Sequence, residues 1–143
     1  MKYNSDVLQK ILTEYLEASQ RLKELAALPY NEWFTDPHKV ASTKYHLILA
    51  IESAIDICNH IIAKNNFRVP EDYADTFKVM AENNVISEAF SNNLINMARF
   101  RNRLVHRYWD IDMKKIYEIL SYNLDDLNCF LNEIRSSLQK TKE

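Results

Sequence analysis

The residues best suited to proton transfer and anion binding lie together between positions 99 and 107 of this chain. Over these positions the sequence reads RFRNRLVHR, which contains four arginines, one asparagine and one histidine. Histidine exchanges protons near neutral pH, and arginine donates several hydrogen bonds to phosphate oxygens. The segment is therefore suited to binding a phosphate and moving a proton beside it.

Cleavage of RNA by its own 2′-hydroxyl needs a base, an acid for the departing 5′-oxygen, and positive charge beside the phosphorane. Histidine is suited to the first two tasks and arginine to the third, and the segment contains His106 and four arginines. On a continuous helix, however, the side chains of Arg101 and His106 would point about 140° apart. They converge only if the helix ends between them or if two copies of the chain share one site.

Residue chemistry alone also allows a structural interpretation of this segment. Arginine and histidine in the last turn of a helix complement its dipole and bind its free carbonyl groups. The spacing by itself favours that interpretation, in which the chain is an ordinary helical interaction domain.

Composition predicts one all-α domain covering residues 1–143. The chain has 143 residues, 47% of them hydrophobic, with no glycine and only three prolines, so tight hairpins lack their usual residues. A formal net charge of −2 argues against nonspecific coating of nucleic acid, so any contact with RNA must be local.

No run of roughly 18 to 20 apolar residues is present, and the first ten residues, MKYNSDVLQK, lack the apolar core of a signal peptide. We expect a soluble, cytoplasmic protein with no membrane contact. Cys58 and Cys129 are far apart in apolar helical contexts, which predicts two free, buried thiols and neither a disulfide nor a zinc site.

Hydrophobic periodicity and capping residues predict an antiparallel bundle of four to five helices. The first helix runs from Asn4 or Ser5 to before Pro29, and the second from Asp36 to about Asn65. The third runs from about Glu71 to Glu82, with Tyr73, Phe77 and Met80 facing inward. The fourth begins near Ser87 and frays around Val105 to Tyr108, and the last begins at Asp110 or Asp112 and carries an apolar stripe that ends at Leu138. The second helix is apolar on nearly every side, so it should lie centrally among the others.

The run MARFRNRLVHRY at positions 97–108 resembles the signature of the HepT-like HEPN family, Arg-x4-His-x-Tyr with asparagine after the first arginine. The helix at 45–61, with its Asp-Ile-x-x-His ending, continues the likeness in chain order. So do PEDY at 70–73, VIS at 85–87 and YWDID at 108–112. The resemblance covers most of the chain, from about Tyr45 into the last helix. It departs at Arg99, where the family usually has glycine.

This resemblance implies a HEPN-type homodimeric bundle that acts as the toxin of a toxin-antitoxin system. The family's activity is that of a metal-independent endoribonuclease, with both copies of the motif in a cleft on the two-fold axis. It assigns His106 as acid/base, Arg101 as phosphate and transition-state binder, and Asn102 as a polar orienting residue. The implied partner is a minimal nucleotidyltransferase antitoxin of MntA type, which silences the toxin by AMPylation of the motif tyrosine, here Tyr108.

Further candidates carry two interpretations each. Glu52, Asp56 and His60 follow one stripe of the second helix, either orienting the motif or forming a polar seam in which Asp56 pairs with His60. The two interpretations are equal for Asp56, and the seam is preferred for Glu52 and His60. This trio is not expected to bind a metal, and no cofactor is expected.

Several other cations and aromatic residues lie near the motif or at helix junctions. Additional phosphate contacts are assigned to the arginines at 99, 103 and 107, with Lys114 and Lys115 extending the same track or forming a solvated face. Trp33, Phe34 and Trp109 are interpreted as base-stacking surfaces or, more commonly, as core plugs.

The alternative function is a catalytically silent HEPN module that binds a nucleotidyltransferase. The intact set of Arg101, His106 and Tyr108 favours the nuclease, because a scaffold has no chemical need for the histidine.

Overall fold

The computed structural model describes residues 1–107 and 110–139. These residues form seven helices and no strand. In chain order they are α1 (Ser5–Ala26), α2 (Tyr30–Phe34), α3 (Pro37–Lys64), α4 (Tyr73–Glu82), α5 (Glu88–His106), α6 (Met113–Tyr122) and α7 (Leu124–Gln139). The all-α helical fold predicted from the sequence is confirmed.

Polar side chains fix the starts of five helices by accepting hydrogen bonds from otherwise free backbone N–H groups. The caps are Asn4 for α1, Asp36 for α3, Asp72 for α4, Ser87 for α5 and Asp112 for α6. Of the two aspartates proposed for the last cap, Asp112 is therefore the one used. Pro37 at the first position of α3 adds a backbone already restricted to helical φ.

The aromatic connection after Pro29 forms the short helix α2. Trp33 on this helix is fully buried, and its indole Nε1–H donates to Thr43 Oγ1 at 2.8 Å. Trp33 is thus a core plug and not a surface for base stacking. Phe34 is exposed and stacks on the Tyr30 ring.

The predicted single last helix is wrong, because the chain breaks at Asn123 into α6 and α7. Asparagine favours leaving a helix, since its side chain competes for backbone hydrogen bonds. Asp125 and Asp126 in the first turn of α7 then complement the positive end of a new helix. The break lets both apolar stripes reach the core: Ile116 and Leu120 in α6, and Leu127, Phe130, Leu131 and Ile134 in α7.

Helix α3 is central, as predicted: it packs against α1, α2, α4, α5 and α6. By length and composition α3 is apolar enough to cross a bilayer, yet 56% of its most apolar 18-residue window is buried inside the bundle. This burial is the pattern of a core helix.

The two cysteines differ in their surroundings. Cys58 on α3 is buried, and burial raises the pKa of its thiol far above the ordinary value. Cys129 is exposed on α7, so the prediction of two buried thiols is wrong for this residue. Its neighbour Phe130 takes the inward position in that turn, which leaves Cys129 on the outer side.

Candidate functional site

Helix α5 carries the arginine-histidine motif without interruption through His106. The residue after it, Arg107, is the C-cap, and its backbone N–H donates to the Arg103 carbonyl at 2.8 Å. The helix therefore does not end between Arg101 and His106. It ends at His106, within the predicted range of Val105 to Tyr108, of which Tyr108 lies outside the described residues. With five residues between them on one helix, the two side chains leave α5 about 140° apart.

Arg101 lies on the inner side of α5 and is only 9% exposed. Its Nε donates to Glu52 Oε1 at 3.1 Å, its Nη2 donates to the same oxygen, and its Nη1 donates to Asn102 Oδ1 at 3.1 Å. A guanidinium has five N–H donors, so two remain without a partner among the described residues. Arg101 is thus held in one position with donors to spare for an anion.

The face of the Arg101 guanidinium is covered by an aromatic ring. Its central carbon lies 4.9 Å from the centroid of Tyr73, a cation–π arrangement. Tyr73 was expected to face inward but is 41% exposed, because its ring covers Arg101 at the bundle surface. Nothing in the local pattern of α4 indicates this role, which depends on how α4 and α5 pack together.

A network of charges anchors the helix that carries Tyr73. Arg68, before α4, donates to both carboxylate oxygens of Asp75 at 2.7 and 3.0 Å, and to both of Glu82 at 2.9 and 3.2 Å. The Arg68 guanidinium is the main cause that holds the pKa of Asp75 at about 2. Because Asp75 and Glu82 lie near the two ends of α4, this network ties the segment before α4 to the helix that begins at Tyr73.

Glu52 is the carboxylate that contacts the motif, so the preferred seam interpretation of this residue is wrong. It lies on α3 with its side chain 39% exposed and forms an ion pair with Arg101. A signal for it existed in the sequence, since Glu52 is one of only two carboxylates on the mostly apolar helix α3, which packs against the motif helix.

The predicted Asp56–His60 pair is not present. His60 Nε2 instead accepts a hydrogen bond from the Asn4 backbone N–H at 2.9 Å. Burial and the nearby Lys64 lower the pKa of His60, which favours the neutral imidazole that such an acceptor requires. Partial burial, followed by the Glu52 and Glu14 carboxylates, raises the pKa of Asp56. The Asp56 carboxylate forms no hydrogen bond with any described residue.

His106 is exposed at the end of α5, and its imidazole forms no hydrogen bond with the residues that the structure describes. Asn102 precedes it by one helical turn, so the two lie on neighbouring parts of the same face. The Asn102 side chain is half-buried and bonded to Arg101. Asn102 therefore lies between the buried arginine and the accessible imidazole.

The other arginines of the motif differ in their partners. Arg107 forms an ion pair with Asp110 at 3.3 Å on the surface. Arg99 and Arg103 are exposed on α5, and neither is paired with a carboxylate in residues 1–107 and 110–139. Two uncompensated cations thus stand on the outer face of the helix. Tyr108 and Trp109 lie outside the described residues.

A family model described as "Ribonuclease HepT-like" matches residues 15–134. The chain is 32% identical over 85 residues to the mRNA nuclease HepT of Shewanella oneidensis, a match that covers 59% of this chain and 64% of that relative. It is 23% identical over 134 residues to the tRNA nuclease HepT of Aphanizomenon flos-aquae, covering 94% of this chain and 89% of the relative.

The fold is similar to that of a tri-AMPylated Shewanella oneidensis HEPN toxin solved in complex with an MNT antitoxin. The TM-score is 0.83 at 24% identity, over 93% of this chain and 99% of that one. The helical architecture is thus shared along nearly the whole length. Because the family model spans most of the chain, including α3, α4 and all of α5, this protein belongs to the HepT-like ribonuclease family.

Proposed function

We propose that this chain is the toxin of a toxin-antitoxin system, a metal-independent endoribonuclease. The observation that carries the proposal is Arg101, which is fixed by Glu52, Asn102 and Tyr73 yet keeps two donors for an anion. A guanidinium whose position is set before substrate arrives binds phosphate without a further ordering cost. The nuclease names of the HepT relatives support the same activity.

The arrangement of α5 supports a site that is shared between two copies of the chain. Arg101 and His106 diverge on one continuous helix, so one protomer cannot direct both at the same phosphate. In a symmetric dimer the same surface of each copy meets its equivalent, and Arg101 of one protomer can face His106 of its partner. Val105, between them in the sequence and 38% exposed, supplies apolar surface for such an interface.

In this mechanism His106 takes the proton of the ribose 2′-hydroxyl, and the resulting oxygen attacks the adjacent phosphorus. Arg101 binds the phosphate oxygens as their negative charge increases. An imidazolium then protonates the departing 5′-oxygen, and the other product carries a 2′,3′-cyclic phosphate. Asn102 holds Arg101 and contributes its remaining amide donors beside His106. Arg99, Arg103 and Arg107 supply further positive charge along the RNA.

The partner that controls this activity is, in our proposal, a minimal nucleotidyltransferase antitoxin of MntA type in the cytoplasm. It attaches AMP to Tyr108, two residues after His106. The added phosphate repels the RNA backbone and the nucleoside occupies the approach to the imidazole, so cleavage stops.

The first prediction concerns the two proposed catalytic side chains. His106→Ala and Arg101→Ala should each lower cleavage of RNA in EDTA by about 10²-fold or more, because each removes a separate catalytic function. Cleavage is measured by the appearance of 2′,3′-cyclic phosphate ends, with protein whose intact mass shows no AMP. The matched controls, His38→Ala and Arg21→Ala, change an exposed histidine and an exposed arginine far from the motif and should cleave normally.

Circular dichroism separates loss of catalysis from loss of folding, and Arg101→Lys keeps the charge beside Glu52 if the alanine variant unfolds. Lysine lacks the planar fork, so Arg101→Lys should also cleave poorly. Wild-type protein that is free of AMP yet inert toward RNA contradicts the proposal and favours the silent binding module.

The second prediction separates the two acidic candidates on α3. Glu52→Gln should lower kcat about tenfold, since a charge-assisted hydrogen bond that orients Arg101 becomes a neutral one. Asp56→Asn, one turn away with no bond to Arg101, should change kcat by less than about twofold. Equal effects of the two substitutions would show that Glu52 has no special role in positioning Arg101.

The third prediction concerns silencing. After incubation with the antitoxin and ATP, wild-type protein should gain mass in whole units of AMP and lose cleavage. Tyr108→Phe should keep its mass and its activity, because it lacks the acceptor hydroxyl. Tyr45→Phe, which removes an exposed hydroxyl on α3, is the control and should be modified like the wild type. An unmodified mass in the wild type, or continued modification of Tyr108→Phe, would refute the assignment.

A further inference from the structure

A groove of about 460 Å³ lies between α5 and α6, on the side of α5 that carries Arg99 and Arg103. Its volume falls in the range of roughly 300–1,000 Å³ that small-molecule sites occupy. The apolar floor consists of Ile51, Met97, Phe100 and Ile119. The groove thus combines an apolar base with polar walls, the composition of a site for a flat, polar-edged ligand.

One end of the groove is cationic. Helix α5 ends at His106 and α6 begins at Met113, so a short connection makes the two helices antiparallel neighbours. Arg103 near the end of α5 and Lys115 near the start of α6 consequently lie at the same end, with Arg99 one turn further along. In the described part of the chain none of these cations pairs with a carboxylate. This end lies next to the motif, since Arg103 precedes His106 by three residues.

The opposite end carries amides, an aromatic ring and a carboxylate. Asn93 and Asn96 of α5 line the groove together with Tyr122, Asn123 and Asp126. Asparagine amides both donate and accept hydrogen bonds, as recognition of the edge of a base requires. Tyr122 is 80% exposed and offers a ring for stacking. Partial burial and the adjacent Asp125 raise the pKa of Asp126.

The spacing along α5 fits one nucleotide. Arg103 and Asn96 are seven residues apart, which is about 10 Å along the helix axis. A nucleotide placed with its phosphate at the cationic end extends its base toward Asn96 and Tyr122 over that length. Its sugar and base plane would then lie on the apolar floor.

We propose that this groove binds a nucleotide next to the scissile phosphate, and that Asn96 and Tyr122 thereby select the RNA sequence that is cut. The inference rests on the proposed ribonuclease function and adds to it the residues that determine substrate specificity. Glu118 and Asp126 also line the groove, but its three cations leave a net positive charge, and together with the proximity to the motif this favours an RNA strand over a peptide as the occupant.

The test compares Asn96→Ala and Tyr122→Ala with Asn92→Ala. Asn92 is an exposed asparagine one turn earlier on α5 that lines a different cavity, beside Lys78 and Glu82. Each protein cleaves a pool of RNA with random sequence, and the bases flanking the cuts are determined. Asn96→Ala and Tyr122→Ala should weaken the base preference at one flanking position and raise KM with little change in kcat, whereas Asn92→Ala should match the wild type.

A second measurement reads the groove without catalysis. A fluorescein-labelled RNA hexamer with 2′-O-methyl groups resists cleavage, and its affinity is measured by anisotropy. Asn96→Ala or Tyr122→Ala should weaken binding by roughly tenfold, the effect of losing one base contact. Circular dichroism verifies that each variant folds.

The outcomes separate the two proposals. If both variants keep the hexamer affinity and the base preference of the wild type, the groove assignment is overturned. The proposed function still stands in that case, provided that the wild-type protein cleaves RNA. A wild-type protein that fails to cleave RNA refutes the function, and the hexamer affinities then decide the groove on their own. If a peptide or another protein is the true occupant, the hexamer affinity stays unchanged and the assignment is overturned.

Discussion

The ion pair between Arg101 and Glu52 is the interaction on which the proposed site depends. It places a guanidinium that is only 9% exposed at the meeting point of α3, α4 and α5. Removing one partner of a fully buried pair costs about 3–5 kcal/mol, because the other charge is left unpaired. Here the cost is smaller, since Glu52 is 39% exposed and water screens it. The pair therefore serves more to orient Arg101 than to stabilise the bundle.

The continuity of α5 is the second constraint. A helix that ran out before His106 would let the imidazole turn back toward Arg101, but the helical hydrogen bonds continue to the cap at Arg107. Tyr73 and Glu52 hold Arg101 on the inner side while His106 stays accessible. In a single chain, Arg101 and His106 thus point in different directions, and a symmetric dimer is the simplest arrangement that brings the two side chains together.

Local signals in the sequence were sufficient for most of the fold. Capping residues and prolines predicted where the long helices begin, because these effects involve neighbours within a few residues. The sequence does not indicate the helix break at Asn123, because the periodic apolar stripe continues through this position. It does not indicate helix α2 either, because the aromatic segment after Pro29 resembles a loop. Cys129 was misplaced because one residue of rotation on α7 separates an inward position from an outward one.

The site was less accessible to sequence reasoning than the fold. The motif itself was recognised by its spacing and its likeness to the family, and the match to the family model agrees with that likeness. The contacts that orient the motif are not recognisable from the sequence, because Glu52 and Tyr73 are 49 and 28 residues from Arg101 along the chain. Whether they reach Arg101 depends on how α3, α4 and α5 pack together. Glu52 and Asp56 are one turn apart on α3, so the spacing along the helix alone does not distinguish which carboxylate contacts the motif.

The most direct test of the account is complementation between two inactive chains. Arg101→Ala and His106→Ala protomers, carrying different tags, are co-expressed and the mixed dimer is isolated with both tags. If the site joins Arg101 of one protomer to His106 of its partner, the mixed dimer retains one intact pair of the two and should recover roughly half of the wild-type RNA cleavage. A mixed dimer as inactive as either parent would contradict the shared site, because both residues would then have to come from the same chain.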